Sequence, residues 1–146
     1  MVFRAIGLTA VLMSWNAFAC PDLKGHYSCA NDEVGESIII TQDGKENSST
    51  ITLNDSELLI DDSDHPITDD PTFRNAIMRI SCTDAVVRRH VRGDFYEGQK
   101  KIGEIDSTTE YSLDKGDLVE TTIGRMSSVS GDTPLDEKIV CQRASD

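Results

Sequence analysis

The fold of this chain is decided by Cys20-Pro21-Asp22-Leu23-Lys24-Gly25-His26-Tyr27-Ser28-Cys29. Gly25 allows the backbone to turn or to approach a neighbour closely, and Tyr27 offers a large apolar ring with a polar tip. The two cysteines that bound the stretch can each form a crosslink. We therefore expect this segment to start the first strand of a folded domain and to attach it covalently.

The residues before this stretch have the pattern of an export signal. Arg4 is their only charge, a mostly apolar run covers 5–13, and the small residues of Ala17–Ala19 flank a cleavage site. The run is too short to span a membrane, and no later stretch approaches ~20 apolar residues. We predict a signal peptide over 1–19, a single β-barrel domain over 20–146, no transmembrane segment and a secreted or periplasmic location.

Cys20 allows a second interpretation of the same signal. Lipoprotein signals place a lipid-modified cysteine directly after the cleavage site, with a leucine-like residue three positions before it and a small residue two positions before it. Ala17 and Phe18 occupy these positions here. We favour an ordinary exported protein, and a lipoprotein anchored through Cys20 is the alternative.

The number of cysteines predicts two disulfides. The chain has four, an even number, as is common in exported proteins. Three connectivities are possible, and the short spacing of the first two cysteines favours Cys20–Cys29 with Cys82–Cys141. None lies in a C-x-x-C motif, so we expect neither redox chemistry nor a zinc site.

The charge balance restricts the partners. The chain has 14 Lys and Arg against 26 Asp and Glu, and loss of Arg4 with the signal changes the net charge from −12 to −13. Such a surface repels the phosphates of nucleic acids and of anionic membranes. A cationic protein remains a possible partner, and solubility is the simpler interpretation.

The rest of the chain consists of short alternating or β-branched runs separated by turn residues. Strands are predicted at 37–41, 50–53, 57–60, 76–82, 86–93, 105–113, 118–125 and 138–143. There is no long helical pattern. About eight short strands with hairpin turns predict a small antiparallel up-and-down β-barrel, with a sandwich as the alternative, because a closed meander leaves no exposed edge.

The predicted strand at 86–93 is unusually basic. Arg88, His90 and Arg92 share one face, whereas Arg89 lies on the other face between two valines. If the valine face is internal, Arg89 could meet a ligand carboxylate inside the barrel. The alternative is an arginine tethered to one of the many acidic residues.

The motif Leu23-x-Gly25-x-Tyr27, followed by a meander and by Arg143 in the last strand, resembles the lipocalin-like or calycin group. Members begin with a Gly-x-Trp strand and use a late basic residue to cover that end of the barrel. The resemblance implies that Gly25 and Tyr27 match the first motif, with tyrosine in place of tryptophan, and that Arg143 is the basic residue. Tyr27-Ser28-Cys29 is also similar to a Tyr-x-Cys triplet of some lysozyme inhibitors.

The sequence contains none of the common catalytic motifs, such as Gly-x-Ser-x-Gly, His-Glu-x-x-His or a P-loop. An acidic loop at 61–71 departs from the EF-hand pattern, so no metal and no cofactor are expected. We predict a monomeric, non-catalytic binding protein that holds a small apolar or amphipathic ligand. The candidate ligand-binding residues are Tyr27, Arg89, Tyr111 and Arg143. The alternatives are an acidic inhibitor of a cationic exported enzyme, such as a lysozyme or protease inhibitor, and a structural envelope protein.

Overall fold

The computed structural model describes residues 20–29, 36–45, 48–68, 70–83 and 85–144. The predicted signal peptide at 1–19 lies outside these residues. Within them, no helix could span a membrane. They form ten strands: β1 (Gly25–Cys29), β2 (Glu36–Lys45), β3 (Ser48–Leu53), β4 (Ser56–Ile60), β5 (Asp64–Pro66), β6 (Phe73–Cys82), β7 (Val87–Glu97), β8 (Lys100–Asp114), β9 (Asp117–Ser128) and β10 (Gly131–Arg143).

All described strands belong to one antiparallel sheet in the order β4-β3-β2-β1-β10-β9-β8-β7-β6-β5. Consecutive strands of the chain therefore pair with each other, except β4 and β5, which form the two edges of the sheet. In addition, β1 pairs with β10. This is an up-and-down meander, and the all-β, antiparallel prediction is confirmed. The prediction of about eight strands was wrong, because the sheet has ten.

The curved sheet forms an open half-barrel rather than the closed barrel that was predicted. Its two edges, β4 and β5, follow each other in the chain through residues 61–63. The amide of Asp62 donates to the carbonyl of Ile80 over 2.9 Å, so the chain after β4 touches β6. In the described part of the chain β4 pairs with β3 alone, and the barrel stays open along this seam.

The concave face of the sheet carries the core. Alternate residues of each strand point to this face, as the two-residue period of a strand requires. Leu23, which precedes β1, is fully buried within it. The buried apolar side chains are Leu23, Tyr27, Cys29, Ile40, Ile51, Ile60, Ala76, Ile80, Val87, Tyr111, Leu118 and Cys141.

Two disulfides are present, as predicted, but the predicted pairing was wrong. Cys29 is bonded to Cys141 and Cys20 to Cys82. Cys29 lies directly opposite Cys141 because β1 and β10 are neighbours. Cys82 ends β6, and three strands separate β6 from β10 in the sheet. At about 4.8 Å per strand this distance is far beyond the reach of a disulfide.

The basic face of β7 points outward and is paired with acids. Arg88 contacts Glu110 at 2.5 Å, and His90 contacts Asp106 at 2.8 Å, both on the neighbouring β8. Arg92 lies 3.4 Å from Asp64 of β5. Exposed pairs of this kind contribute about 0–1 kcal/mol each, so this face adds little to stability. Arg89, by contrast, points to the concave side of the sheet.

Candidate functional site

The concave face encloses a cavity of about 400 Å³. Strands from both halves of the open barrel contribute to its wall, which is why no single stretch of sequence contains it. Two of the predicted ligand-binding residues, Arg89 and Tyr111, lie in this wall. Its described lining residues are Ile38, Leu53, Asn54, Ser56, Leu58, Arg89, Tyr111, Glu120 and Ile139.

One side of the cavity is polar and is built from three consecutive strands. Tyr111 of β8 lies directly opposite Glu120 of β9. Arg89 of β7 lies opposite Thr109, two residues before Tyr111 on the same face of β8. The guanidinium carbon of Arg89 is 5.5 Å from the centre of the Tyr111 ring, which is within the range of a cation–π contact. Tyr111 thus has a cation on one side and an acid on the other.

Arg89 carries the feature that most directly indicates a ligand. Its Nε atom is buried and finds no hydrogen-bond partner among the residues that the structure describes. A buried donor without an acceptor costs about 1–3 kcal/mol, more when the group is charged. A ligand oxygen placed in the cavity can accept this hydrogen bond. Glu120 lies in the same wall and has interactions of its own.

The strands β2, β3 and β4 contribute three apolar side chains to the cavity. Ile38 and Leu53 come from β2 and β3, and Leu58 comes from β4. Asn54 and Asp55 form the β3–β4 turn with φ angles of 46° and 70°. Two successive left-handed residues are typical of a tight hairpin turn, and Asn and Asp tolerate this conformation better than most residues.

The turn is held by the side chain of Asn54. Asn54 Oδ1 accepts a hydrogen bond of 2.8 Å from the backbone amide of Ile39, and the backbone amide of Asn54 donates to the carbonyl of Ile39 over 3.2 Å. These bonds fix the β3–β4 turn on β2. Asn54 and Ser56, which also line the cavity, are thereby set in place on this side.

The other two predicted residues lie together elsewhere. Tyr27 pairs with Arg143 in the register of β1 and β10, and the Arg143 guanidinium carbon is 5.8 Å from the centre of the Tyr27 ring. The Tyr27 hydroxyl donates to the carbonyl of Leu23 over 2.8 Å, and Arg143 Nη2 donates to the carbonyl of Lys24 over the same distance. Among the described lining residues of the cavity neither Tyr27 nor Arg143 occurs. This pair secures the segment before β1.

Sequence reasoning missed most of the cavity wall. Leu118, Glu120 and Thr122 lie on the same face of β9, because side chains two residues apart point the same way. Since Leu118 is a buried leucine, this period could have predicted that Glu120 also faces inward. Ile38, Leu58 and the other apolar wall residues carried no such signal. Any β-branched or leucine residue of a short strand has the same pattern.

Burial raises the pKa of Tyr111 to about 12, while nearby Arg89 lowers it and Glu120 raises it. We expect Tyr111 to ionise only near pH 12 in an absorbance titration at 295 nm, and Tyr111→Phe to remove that late step. In the unfolded chain the pKa of tyrosine is about 10. The contribution of the neutral Tyr111 phenol to the free energy of unfolding is therefore fully present below pH 10 and is lost as the pH rises to about 12. Ionisation of all tyrosines by about pH 11 in the folded protein would contradict this placement.

Comparison of the chain with protein-family models, with curated proteins and with solved structures finds no match. Among the described residues, no group of three or more His, Cys, Asp or Glu could hold a metal ion. The described wall of the cavity provides one guanidinium, one carboxylate, one buried phenol, one amide, one hydroxyl and four apolar side chains.

Proposed function

We propose that this chain is an exported, non-catalytic binding protein that holds a small amphipathic ligand in its open barrel. The observation that carries the proposal is the cavity, whose wall combines the buried, unpartnered Nε of Arg89 with apolar side chains. A ligand carboxylate would accept the hydrogen bond of Arg89, and the apolar part of the ligand would lie against Leu53 and Leu58. Charge-assisted hydrogen bonds of this kind are about twice as strong as neutral ones.

The size of the cavity supports a small ligand. About 400 Å³ lies within the usual range of roughly 300–1,000 Å³ for small-molecule pockets. Such pockets combine apolar walls with a few polar groups that fix the orientation of the ligand. Arg89 and Tyr111 provide those polar groups here, and both come from regular strands rather than from loops.

The disulfides support export. Two disulfides are typical of a protein that folds in an oxidising compartment, outside the cytosol. The signal-like pattern at 1–19 agrees with this environment, and we propose a secreted or periplasmic location. Because Cys20 is bonded to Cys82, lipid attachment at Cys20 would require this bond to be absent.

The proposal is tested by blocking the cavity. Leu58→Trp places a larger side chain in its wall, whereas Leu59→Trp places the same side chain on the neighbouring, outward-facing position. Octanoate displacing the fluorescent anion 1-anilinonaphthalene-8-sulfonate reports binding. We expect Leu58→Trp to weaken octanoate binding by at least about tenfold and Leu59→Trp to leave it unchanged. Equal octanoate binding by both variants, or failure of the wild-type protein to bind octanoate and every other small amphipathic compound tried, would overturn the proposal.

A second substitution pair tests the polar side. Arg89→Gln removes the inward guanidinium, and Arg88→Gln removes the outward one next to it on β7. Loss of a hydrogen bond to a charged group costs about 1.5–3 kcal/mol, so Arg89→Gln should weaken octanoate binding about 10- to 100-fold. Arg88→Gln should bind octanoate as the wild type does.

The net charge of −12 favours one other function, the capture or inhibition of a cationic exported enzyme. Opposite charges accelerate such an encounter, and the effect falls as salt is added. A basic lysozyme retained by the immobilised protein at low salt and released at moderate salt would support this function. Inhibition that persists in Leu58→Trp would place it outside the cavity.

A further inference from the structure

The cavity contains two opposite charges on either side of one aromatic ring. Glu120 lies directly across the strand pair from Tyr111, and the guanidinium of Arg89 lies against the Tyr111 ring. Directly opposed residues on one sheet face have their Cβ atoms about 4.5–5.5 Å apart, and diagonal neighbours lie about 7–8 Å apart. Both charged side chains line the same volume. The two residues come from strands that β8 alone separates, with backbones about 10 Å apart, and a ligand in the cavity meets both a cation and an anion.

A simple monoanion does not use this arrangement fully. Its carboxylate is attracted by Arg89 and repelled by Glu120, and like charges at close range disfavour binding. A simple cation has the reverse problem. A ligand that carries both charges a few bonds apart can direct its carboxylate to Arg89 and its ammonium group to Glu120.

We propose that the ligand is zwitterionic, with a carboxylate and an ammonium group next to one apolar substituent, as in a free apolar amino acid or a short apolar peptide. This inference rests on the proposed function of the cavity and specifies the chemical class of its ligand. The apolar substituent lies against Ile38, Leu53 and Leu58. Arg89 and Glu120 act as a pair that selects for the internal dipole of the ligand.

The remaining groups of the cavity suit such a ligand. A carboxylate has two oxygens with about four acceptor positions, so Glu120 can accept bonds from an ammonium group in addition to its present contacts. The face of the Tyr111 ring attracts cations, and its phenol, protonated at neutral pH, can donate a hydrogen bond to a ligand. No rearrangement of the strands is needed, because all three residues already lie on the concave face.

The test uses matched ligands and isothermal titration calorimetry on the exported, disulfide-bonded protein. Leucine carries both charges, N-acetyl-leucine carries only the carboxylate, and leucinamide carries only the ammonium group. Leucyl-leucine carries both charges further apart and separates a single amino acid from a peptide. We expect the better of the two zwitterions to bind at least about tenfold more tightly than either singly charged compound.

Two substitutions test whether Glu120 and Arg89 cause the preference for a zwitterionic ligand. Glu120→Gln should weaken zwitterion binding by at least about tenfold and leave N-acetyl-leucine binding unchanged or tighter. Arg89→Gln should weaken N-acetyl-leucine binding and leave leucinamide binding unchanged or tighter. Glu97→Gln, which removes an exposed carboxylate at the end of β7, is the control and should behave as the wild type. The variants must retain the wild-type near-ultraviolet circular dichroism spectrum.

The outcomes separate this inference from the proposed function. If octanoate or N-acetyl-leucine binds in the cavity more tightly than both zwitterions, the zwitterion inference is wrong and the proposed function stands. If no compound of the series binds, and octanoate also fails, both are wrong. Tight zwitterion binding that Glu120→Gln does not weaken would likewise overturn the role of Glu120.

Discussion

Alanine in place of both Cys29 and Cys141 is expected to lower the free energy of unfolding by about 5 kcal/mol. The bond closes a loop with a sequence separation of 112 residues, for which the chain-entropy model gives roughly 5 kcal/mol. Both cysteines are also almost fully buried, so their removal leaves space in the core. Small domains have a total stability of about 5–15 kcal/mol, so this variant should be close to unfolding. Urea denaturation followed by circular dichroism measures the change.

The second disulfide provides the matched comparison. Cys20 and Cys82 are separated by 62 residues and are only partly buried, so replacing both with alanine should cost about 4 kcal/mol. A loss below about 1 kcal/mol for Cys29 with Cys141 would contradict the central place of that bond in the sheet.

The pairing itself is accessible to mass spectrometry without reduction. Trypsin cleaves after Lys24 and thereby separates Cys20 from Cys29. The peptide 25–45 should be linked to 139–143, and the peptide that contains Cys82 should be linked to the one that contains Cys20. A link between the peptides of Cys82 and Cys141 would exclude the observed register of β1 and β10.

The error in the predicted pairing has a clear physical origin. Short spacing made Cys20 and Cys29 look like a local pair, but the position of each cysteine depends on strand pairing between distant segments. β1 pairs with β10, so the first and last strands of the described chain are neighbours in the middle of the sheet. Hairpin turns indicate which consecutive strands pair, but no local pattern encodes the pairing of β1 with β10, because every strand offers the same backbone hydrogen bonds.

The alternation of polar and apolar residues did predict the strands that have one solvent-exposed face. The strand predicted at 105–113 lies within β8, and Tyr111 is buried on its inner face. The first half of β10, which precedes the strand predicted at 138–143, was missed because most of its residues are exposed on both faces. Such a strand is held by its hydrogen bonds to β9 and carries no hydrophobic period.

The candidate site was predictable only in part for the same reason. Arg89 could be placed inside because valines flank it at alternate positions, and the structure places it in the cavity wall. Tyr27 and Arg143, the other two predicted ligand-binding residues, lie together beside the segment before β1 and are not among the described lining residues of the cavity. Whether two inward residues face one cavity depends on the curvature of the whole sheet, which the sequence does not express locally.

Tyr27→Ala is expected to lower the free energy of unfolding by about 4 kcal/mol. The ring is 1% exposed, and truncation of a buried aromatic side chain costs about 3–5 kcal/mol because it leaves a cavity. Its hydroxyl also donates to the carbonyl of Leu23, which is itself fully buried, and Arg143 lies over the ring. The substitution therefore loosens the core and the segment before β1 together.

Tyr27→Phe separates the two contributions. Phenylalanine keeps the ring under Arg143 and removes only the hydroxyl, so we expect a loss of about 1–2 kcal/mol in urea denaturation. Tyr96→Ala, a partly exposed ring at the end of β7, is the control for loss of an aromatic side chain and should cost less than Tyr27→Ala. If Tyr27→Phe were as destabilising as Tyr27→Ala, the hydroxyl bond to Leu23 would carry the effect. If Tyr27→Ala cost no more than Tyr96→Ala, the burial of Tyr27 between Leu23 and Arg143 would be refuted.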